Sequence, residues 1–104
     1  MIFIETAAFS RVIVGLLADD QYARFQLELA ASPTVGDVIE GTGGLRKVRL
    51  AIPGRGKRGG ARVIYYYIAP SDRIILLLVY PKNAQDALTQ AQKAALRSII
   101  ENWR

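Results

Sequence analysis

The run Ile74-Ile-Leu-Leu-Leu-Val-Tyr80 constrains the fold of this chain more than any other stretch. It is unbroken by any polar residue, yet far short of the ~20 residues that a membrane helix needs. It lies between two turn signals, Pro70-Ser71-Asp72 and Pro81. An apolar run of this length, without the alternation of a half-wet strand, reads as a central β-strand covered on both faces.

The chain before it supplies neighbours. Ile2-Phe3-Ile4 is rich in strand formers. Thr6 is placed to cap a helix in which Phe9, Val12, Ile13, Leu16 and Leu17 recur at helical spacing. Asp19 and Asp20 mark a second helix start, Tyr22, Phe25 and Leu29 continue its apolar face, and Pro33 ends it after Ser32. The pair reads as a helical hairpin. Val38-Ile39-Glu40 reads as a short strand, Gly41 to Gly44 as a turn and Leu45 to Ile52 as a strand. Pro53 to Gly60 reads as a loop and Ala61 to Ile68 as a strand.

After Pro81, Thr89 and Gln92 form a capping box. Leu96, Ile99, Ile100 and Trp103 make an amphipathic stripe that must pack on the sheet or on a partner. The order β-α-α-β-β-β-β-α predicts a single α+β domain over residues 1–104. It has an N-terminal strand and helical hairpin, an antiparallel meander of about four to five strands, and a C-terminal helix.

Composition narrows the chemistry. The 104 residues include no cysteine and no histidine. Disulfides, thiolate or imidazole metal sites and histidine acid–base pairs are therefore excluded, and neither a cofactor nor a metal is expected. Asp19 and Asp20 read as helix starters, while Glu5 and Glu40 sit at strand ends, so no two-carboxylate site emerges. The amino terminus lacks the basic and long apolar regions of a secretory signal, and no apolar run reaches spanning length. A cytoplasmic protein is expected, with no membrane partner.

The formal charge is +5, from 14 basic and 9 acidic residues, and it points to an acidic partner such as nucleic acid. The positive charge is concentrated. Between Glu40 and Asp72 there is no acid, while Arg46, Lys47, Arg49, Arg55, Lys57, Arg58 and Arg62 fall in that interval.

Period-two geometry sends Leu45, Lys47, Arg49 and Ala51 to one face of their strand, and Arg46, Val48, Leu50 and Ile52 to the other. Lys47 and Arg49 then leave one face roughly 6–7 Å apart, a spacing that suits successive phosphates of one nucleic-acid strand. A hairpin brings Arg62 near Arg49, and Lys82, just past the central strand, can complete the cluster. The plainer reading is a set of solvated charges on an open face.

The loop Gly54-Arg-Gly-Lys-Arg-Gly-Gly60 permits close backbone approach to phosphate, but it is not a P-loop; a flexible, charged connection is the alternative. Tyr66, or Tyr65 with Tyr67, is a candidate for stacking on bases, as is Tyr80 at a site edge, with core packing as the competing role for each.

One reaction tolerates a toolkit of lysine, arginine and tyrosine. RNA carries its own nucleophile, the 2′-hydroxyl, so cleavage needs only a base, stabilisation of the pentavalent phosphate and an acid for the leaving oxygen. Arginine serves the second role through forked hydrogen bonds. A lysine crowded by cations can serve as base or acid. DNA lacks the internal nucleophile.

Several blocks together resemble RelE/HigB-type toxins of bacterial toxin–antitoxin modules, most closely the HigB-like branch. They are Gly44-Leu-Arg-Lys-Val-Arg-Leu50, Pro53-Gly-Arg-Gly-Lys-Arg-Gly-Gly60, Ala61-Arg-Val-Ile-Tyr-Tyr66, Tyr80-x-Lys-Asn83 and Asp86-x-Leu-Thr89. The resemblance covers essentially the whole chain. It implies a small basic endoribonuclease that enters the ribosomal A site, cuts mRNA there and is neutralised by a cognate antitoxin. It implies catalytic roles for Lys47, Arg49, Arg62 and Lys82. Arg46, Arg55, Lys57 and Arg58 are then expected to anchor RNA phosphates.

Where some relatives place a tyrosine or histidine near the carboxyl terminus, this chain has Leu88 and Thr89, which leaves the acid and base unassigned. The expected function is a ribosome-dependent mRNA endonuclease toxin. The alternative is a non-catalytic RNA- or ribosome-binding module.

Overall fold

In the computed structural model, residues 1–54, 60–85 and 87–103 are described. The elements follow the expected order: β1 (Ile2–Glu5), α1 (Ala7–Leu16), α2 (Asp19–Ala31), β2 (Asp37–Val38), β3 (Arg46–Leu50), β4 (Ala61–Ile68), a 3-10 turn (Ala69–Ser71), β5 (Arg73–Pro81) and α3 (Gln90–Glu101). They form one five-stranded sheet of order β1-β5-β4-β3-β2. Strands β2 to β5 are an antiparallel meander. β1 joins it in parallel beside β5, a pairing that strand content alone does not reveal, because α1 and α2 make the return crossover.

The local signals act as their chemistry requires. The Thr6 hydroxyl accepts from the Phe9 N–H and donates to Leu77 O at 2.7 Å, tying the start of α1 to the central strand. Asp19 and Asp20 open α2, where acids favour the helix N-terminus. Thr89 and Gln92 exchange the reciprocal bonds of a capping box. Asp72 takes the left-handed conformation at the turn into β5, as the Pro-Ser-Asp signal suggests.

Two apolar layers sandwich the sheet. On one face α1 and α2 bring Phe9, Ile13, Leu17, Phe25 and Leu29 against Leu50, Ala61, Val63, Tyr65, Ile74, Leu76 and Val79. On the other, Leu88, Leu96 and Ile100 pack on Leu45, Ile64, Ile75, Leu77 and Tyr80. β5 is thus covered on both sides, as its unbroken apolar run predicts.

A bulge between Ile64 and Tyr65 leaves Leu77 without a register partner. It turns both Leu77 and Leu78 to the α3 side. The helix α3 packs on the sheet, but its stripe is narrower than the spacing suggests. Leu96 and Ile100 are buried, while Ile99 and Trp103 remain 37% and 41% exposed. Among the described residues, no helix is long and apolar enough to cross a membrane.

Candidate active site

The α3 face of the sheet is covered at one end only. Where the cover stops, the strand register assembles basic side chains. Arg49 on β3 lies directly opposite Arg62 on β4, and Arg62 lies opposite Tyr80 on β5. Lys47, two residues from Arg49, shares their face. Like charges directly opposite on a sheet repel, and no acid stands between the two arginines in their row. A bound phosphate relieves that repulsion.

Lys82 lies beyond the other side of the row. Its N–H donates to Gly60 O at 2.9 Å, continuing the β4–β5 ladder one step past Ala61 and Pro81. Lys82 is the first residue of the turn after β5, and this bond sets its backbone in the row of Gly60, two positions beyond Tyr80. The expected hairpin contact between Arg49 and Arg62 is therefore present, with Lys47 and Lys82 flanking it on opposite sides.

An open concavity of about 420 Å³ lies beside this row at the edge of β3, lined by Val35, Asp37, Lys47, Val48, Arg49 and Arg62; Val48 belongs to the α1–α2-side core, so the hollow wraps round the strand edge. Asp37 is the register partner of Lys47. Sequence reading misses it, since it places the short strand at Val38 to Glu40 and so leaves Asp37 outside. The strand is Asp37–Val38, and the ladder ends with the Ile39 N–H bonded to Leu45 O at 2.8 Å. One carboxylate thus shares the concavity with the lysine and arginines.

The loop carrying Val35 and Asp37 is fixed from the opposite face. Tyr65, fully buried, donates from its hydroxyl to Pro33 O at 2.8 Å and accepts from the Gly36 N–H at 2.9 Å. Burial raises the Tyr65 pKa, partly offset by the Gly36 N–H and the Arg46 charge, so the neutral phenol that can make both bonds is favoured. A side chain at Gly36 would meet the Tyr65 ring and hydroxyl at 2.8 Å, so only glycine fits there.

Arg46 completes the clamp. Its Nη1 donates to Gly36 O at 2.8 Å and Thr34 O at 3.1 Å. Arg46 is opposite Tyr65 in the register, hence on the α1–α2 face. Expected among the RNA anchors, it lies across the sheet from Lys47, Arg49 and Arg62, as alternation predicts, and its guanidinium has two carbonyl partners.

The start of β3 is held by a second device. The buried Thr42 hydroxyl bonds Ile39 O and accepts from the Leu45 N–H, which closes the turn before β3. At Gly44, with φ +115°, a Cβ would lie 3.2 Å from the Tyr66 ring. Tyr66 is half-buried against this turn and the α3-side core. Tyr80 is only 5% exposed within that core. Of the two roles weighed for Tyr80, stacking and core packing, its place beside Leu88, Leu96 and Ile100 in the α3-side core fits the second.

Arg55, Lys57 and Arg58, the loop anchors expected from sequence, lie outside the described residues, as does Asp86. Among the described residues, no cluster of acids could hold a metal ion.

A basic, acid-poor row on one sheet face, with a helical hairpin behind the sheet and a terminal helix beside the row, defines a small α+β domain with an exposed cationic surface. Residues 8–104 match the family described as RelE toxin of the RelE/RelB toxin–antitoxin system, and the chain belongs to that family. Solved structures share the fold at low identity. A double-arginine mutant of E. coli toxin RelE in the free state matches with TM-score 0.57 and 16% identity, covering 90% of this chain and 94% of that one. The intact E. coli RelBE toxin–antitoxin complex contains a chain matching at TM-score 0.54 and 17% identity, covering 75% and 92%. Isolated E. coli RelE matches at TM-score 0.53 and 15% identity, covering 94% and 97%.

Proposed function

We propose that this toxin is an mRNA endonuclease that acts on translating ribosomes in the cytoplasm and is held in check by a cognate antitoxin protein. The observation that carries the reading is the cross-strand pair Arg49–Arg62, flanked by Lys47 on the same sheet face and by Lys82 just past β5. Two guanidiniums facing each other grip the non-bridging oxygens of a phosphodiester through charge-assisted bonds, and those bonds strengthen as charge builds on the pentavalent phosphate.

Lys47 or Lys82 transfers protons. The RNA supplies the nucleophile, so no metal is required. The loop residues Arg55, Lys57 and Arg58 add contacts to the RNA scaffold. Membership of a toxin–antitoxin family, and the fold shared with the toxin of the RelBE complex, support the antitoxin as partner.

Induced expression is expected to arrest growth and leave cuts within translated messages. The double variant Lys47→Ala/Arg62→Ala is expected to abolish both while the protein still binds ribosomes. Normal growth with intact messages under wild-type expression overturns the reading. Binding that is lost in step with charge, with cleavage never seen, returns the protein to a plain RNA-binding role.

A further inference from the structure

The concavity contains a group that anion binding does not explain. Asp37 is an acid placed where every other charged lining residue is basic, and a carboxylate there weakens the hold on phosphate. Its position is nevertheless fixed by a dedicated clamp, Tyr65 and Arg46 acting on Pro33, Thr34 and Gly36. A carboxylate beside a bound phosphodiester faces hydrogen-bond donors, and the donor nearest a scissile phosphate in RNA is the 2′-hydroxyl.

The register gives this a direction. Counted along β4, Lys47 and Asp37 share the row of Ile64, Arg49 shares the row of Arg62, and Lys82 shares the row of Gly60. Counted across the sheet, Asp37 is on β2 and Lys82 follows β5, with β3 and β4 between them. The pair Arg49–Arg62 therefore lies at the midpoint of the diagonal from Asp37 to Lys82.

On an untwisted sheet that diagonal is roughly 20 Å between Cα atoms. Side chains stand roughly perpendicular to a sheet, so a phosphate held above the row by the long arginines has Asp37 to one side and the flexible Lys82 to the other. The two ends thus stand on opposite sides of a phosphate gripped by the arginines, as in-line attack requires of its base and acid.

From this placement we infer that Asp37 is the general base for the 2′-hydroxyl and Lys82 the general acid for the leaving oxygen; the inference rests on the endonuclease reading above. The Asp37 carboxylate takes the 2′-hydroxyl proton as O2′ forms its bond to phosphorus. The P–O5′ bond breaks, and the Lys82 ammonium gives its proton to O5′. The products are a 2′,3′-cyclic phosphate and a 5′-hydroxyl. Exchange with solvent then returns Asp37 to carboxylate and Lys82 to ammonium. Lys47, beside Asp37, keeps a cation next to the carboxylate.

The test uses ribosomes programmed with an mRNA carrying, at the mapped cut, either an ordinary phosphodiester or a 5′-bridging phosphorothiolate, whose sulfur leaves without protonation. Wild type, Asp37→Asn and Lys82→Met are compared for cleavage, and for RNA binding by filter retention. Asp37→Asn is expected to cleave ~10²–10⁴-fold more slowly on both substrates, with RNA binding unchanged or tighter. Lys82→Met is expected to be slow on the oxygen substrate and restored on the sulfur one.

Wild-type rates in Asp37→Asn, its rescue by sulfur, or failure of sulfur to rescue Lys82→Met overturns the assignment while the endonuclease reading stands. A parallel loss of binding and cleavage in Asp37→Asn, with a lowered melting temperature, assigns Asp37 to structure and also overturns it. A wild-type protein that cuts neither substrate overturns the endonuclease reading and this assignment together.

Discussion

Arg46 and Lys47 are adjacent, both basic and on the same short strand, yet they serve opposite faces of the sheet. Arg46 points to the helical-hairpin side and spends its guanidinium on two backbone carbonyls of the loop before β2. Lys47 points to the open side and lines the concavity with Arg49 and Arg62. The difference shows that charge density along a chain does not identify a binding surface. The period of two sorts the charges, and only one set is left for a ligand. It also shows how the faces cooperate: the buried side, through Tyr65, Gly36 and Arg46, sets the position of Asp37 on the exposed side.

The contrast is broken most directly at Arg62. Arg62→Ala is expected to lower cleavage by ~10²–10³-fold and to leave the melting temperature close to wild type, measured by message cleavage and thermal unfolding on one preparation. A large fall in stability with little loss of cleavage would place Arg62 on the structural side. Arg46→Met is the mirror experiment. Losing two hydrogen bonds from a charged donor is expected to destabilise the protein by about 1.5–3 kcal/mol in urea unfolding. RNA binding is expected to keep the salt dependence of wild type, since no phosphate contact is removed. A flatter salt slope in Arg46→Met would return this residue to the RNA surface.

Gly36→Ala sharpens the link between the faces. Its methyl group meets the Tyr65 ring and hydroxyl, and a cost of about 1–3 kcal/mol is expected. Partial recovery in Gly36→Ala/Tyr65→Phe, seen in the unfolding midpoint, would confirm the contact as the cause.

The smallest effect concerns the hairpin side alone. The Tyr22 hydroxyl donates to Glu5 at 2.7 Å, and burial first, then Glu5, pushes its pKa up. A raised folded pKa means that the contribution is fully present below the ordinary phenol value of about 10 and is lost as pH rises through the folded value. Stability is therefore expected to hold to about pH 9 and to fall above it. Tyr22→Phe is expected to cost about 1 kcal/mol at neutral pH and to flatten that fall. An unchanged alkaline slope would contradict it.

Much of this was legible in the sequence for identifiable reasons. The apolar run of β5 requires cover on both faces, and it has it. Alternation along β3 separates Lys47 and Arg49 from Arg46, and the β3–β4 hairpin, with ten residues between its strands, brings Arg62 opposite Arg49.

What escaped was set by non-local geometry. The parallel seat of β1 depends on a helical crossover rather than on β1's own residues. Asp37 is hidden because β2 has only two paired residues, too few for a period. The Arg46 clamp ends on backbone carbonyls of Thr34 and Gly36, which leave no side-chain pattern to read.

The central claim is that this row of cations cleaves RNA through the RNA's own hydroxyl. Its most direct test is a single 2′-deoxy substitution on the 5′ side of the mapped cut, in an mRNA presented on the ribosome to wild-type protein. The account predicts that cleavage at that bond disappears while neighbouring ribonucleotide sites and ribosome binding persist, and that the unsubstituted message yields a 2′,3′-cyclic phosphate end. Undiminished cutting at the deoxy position would contradict it.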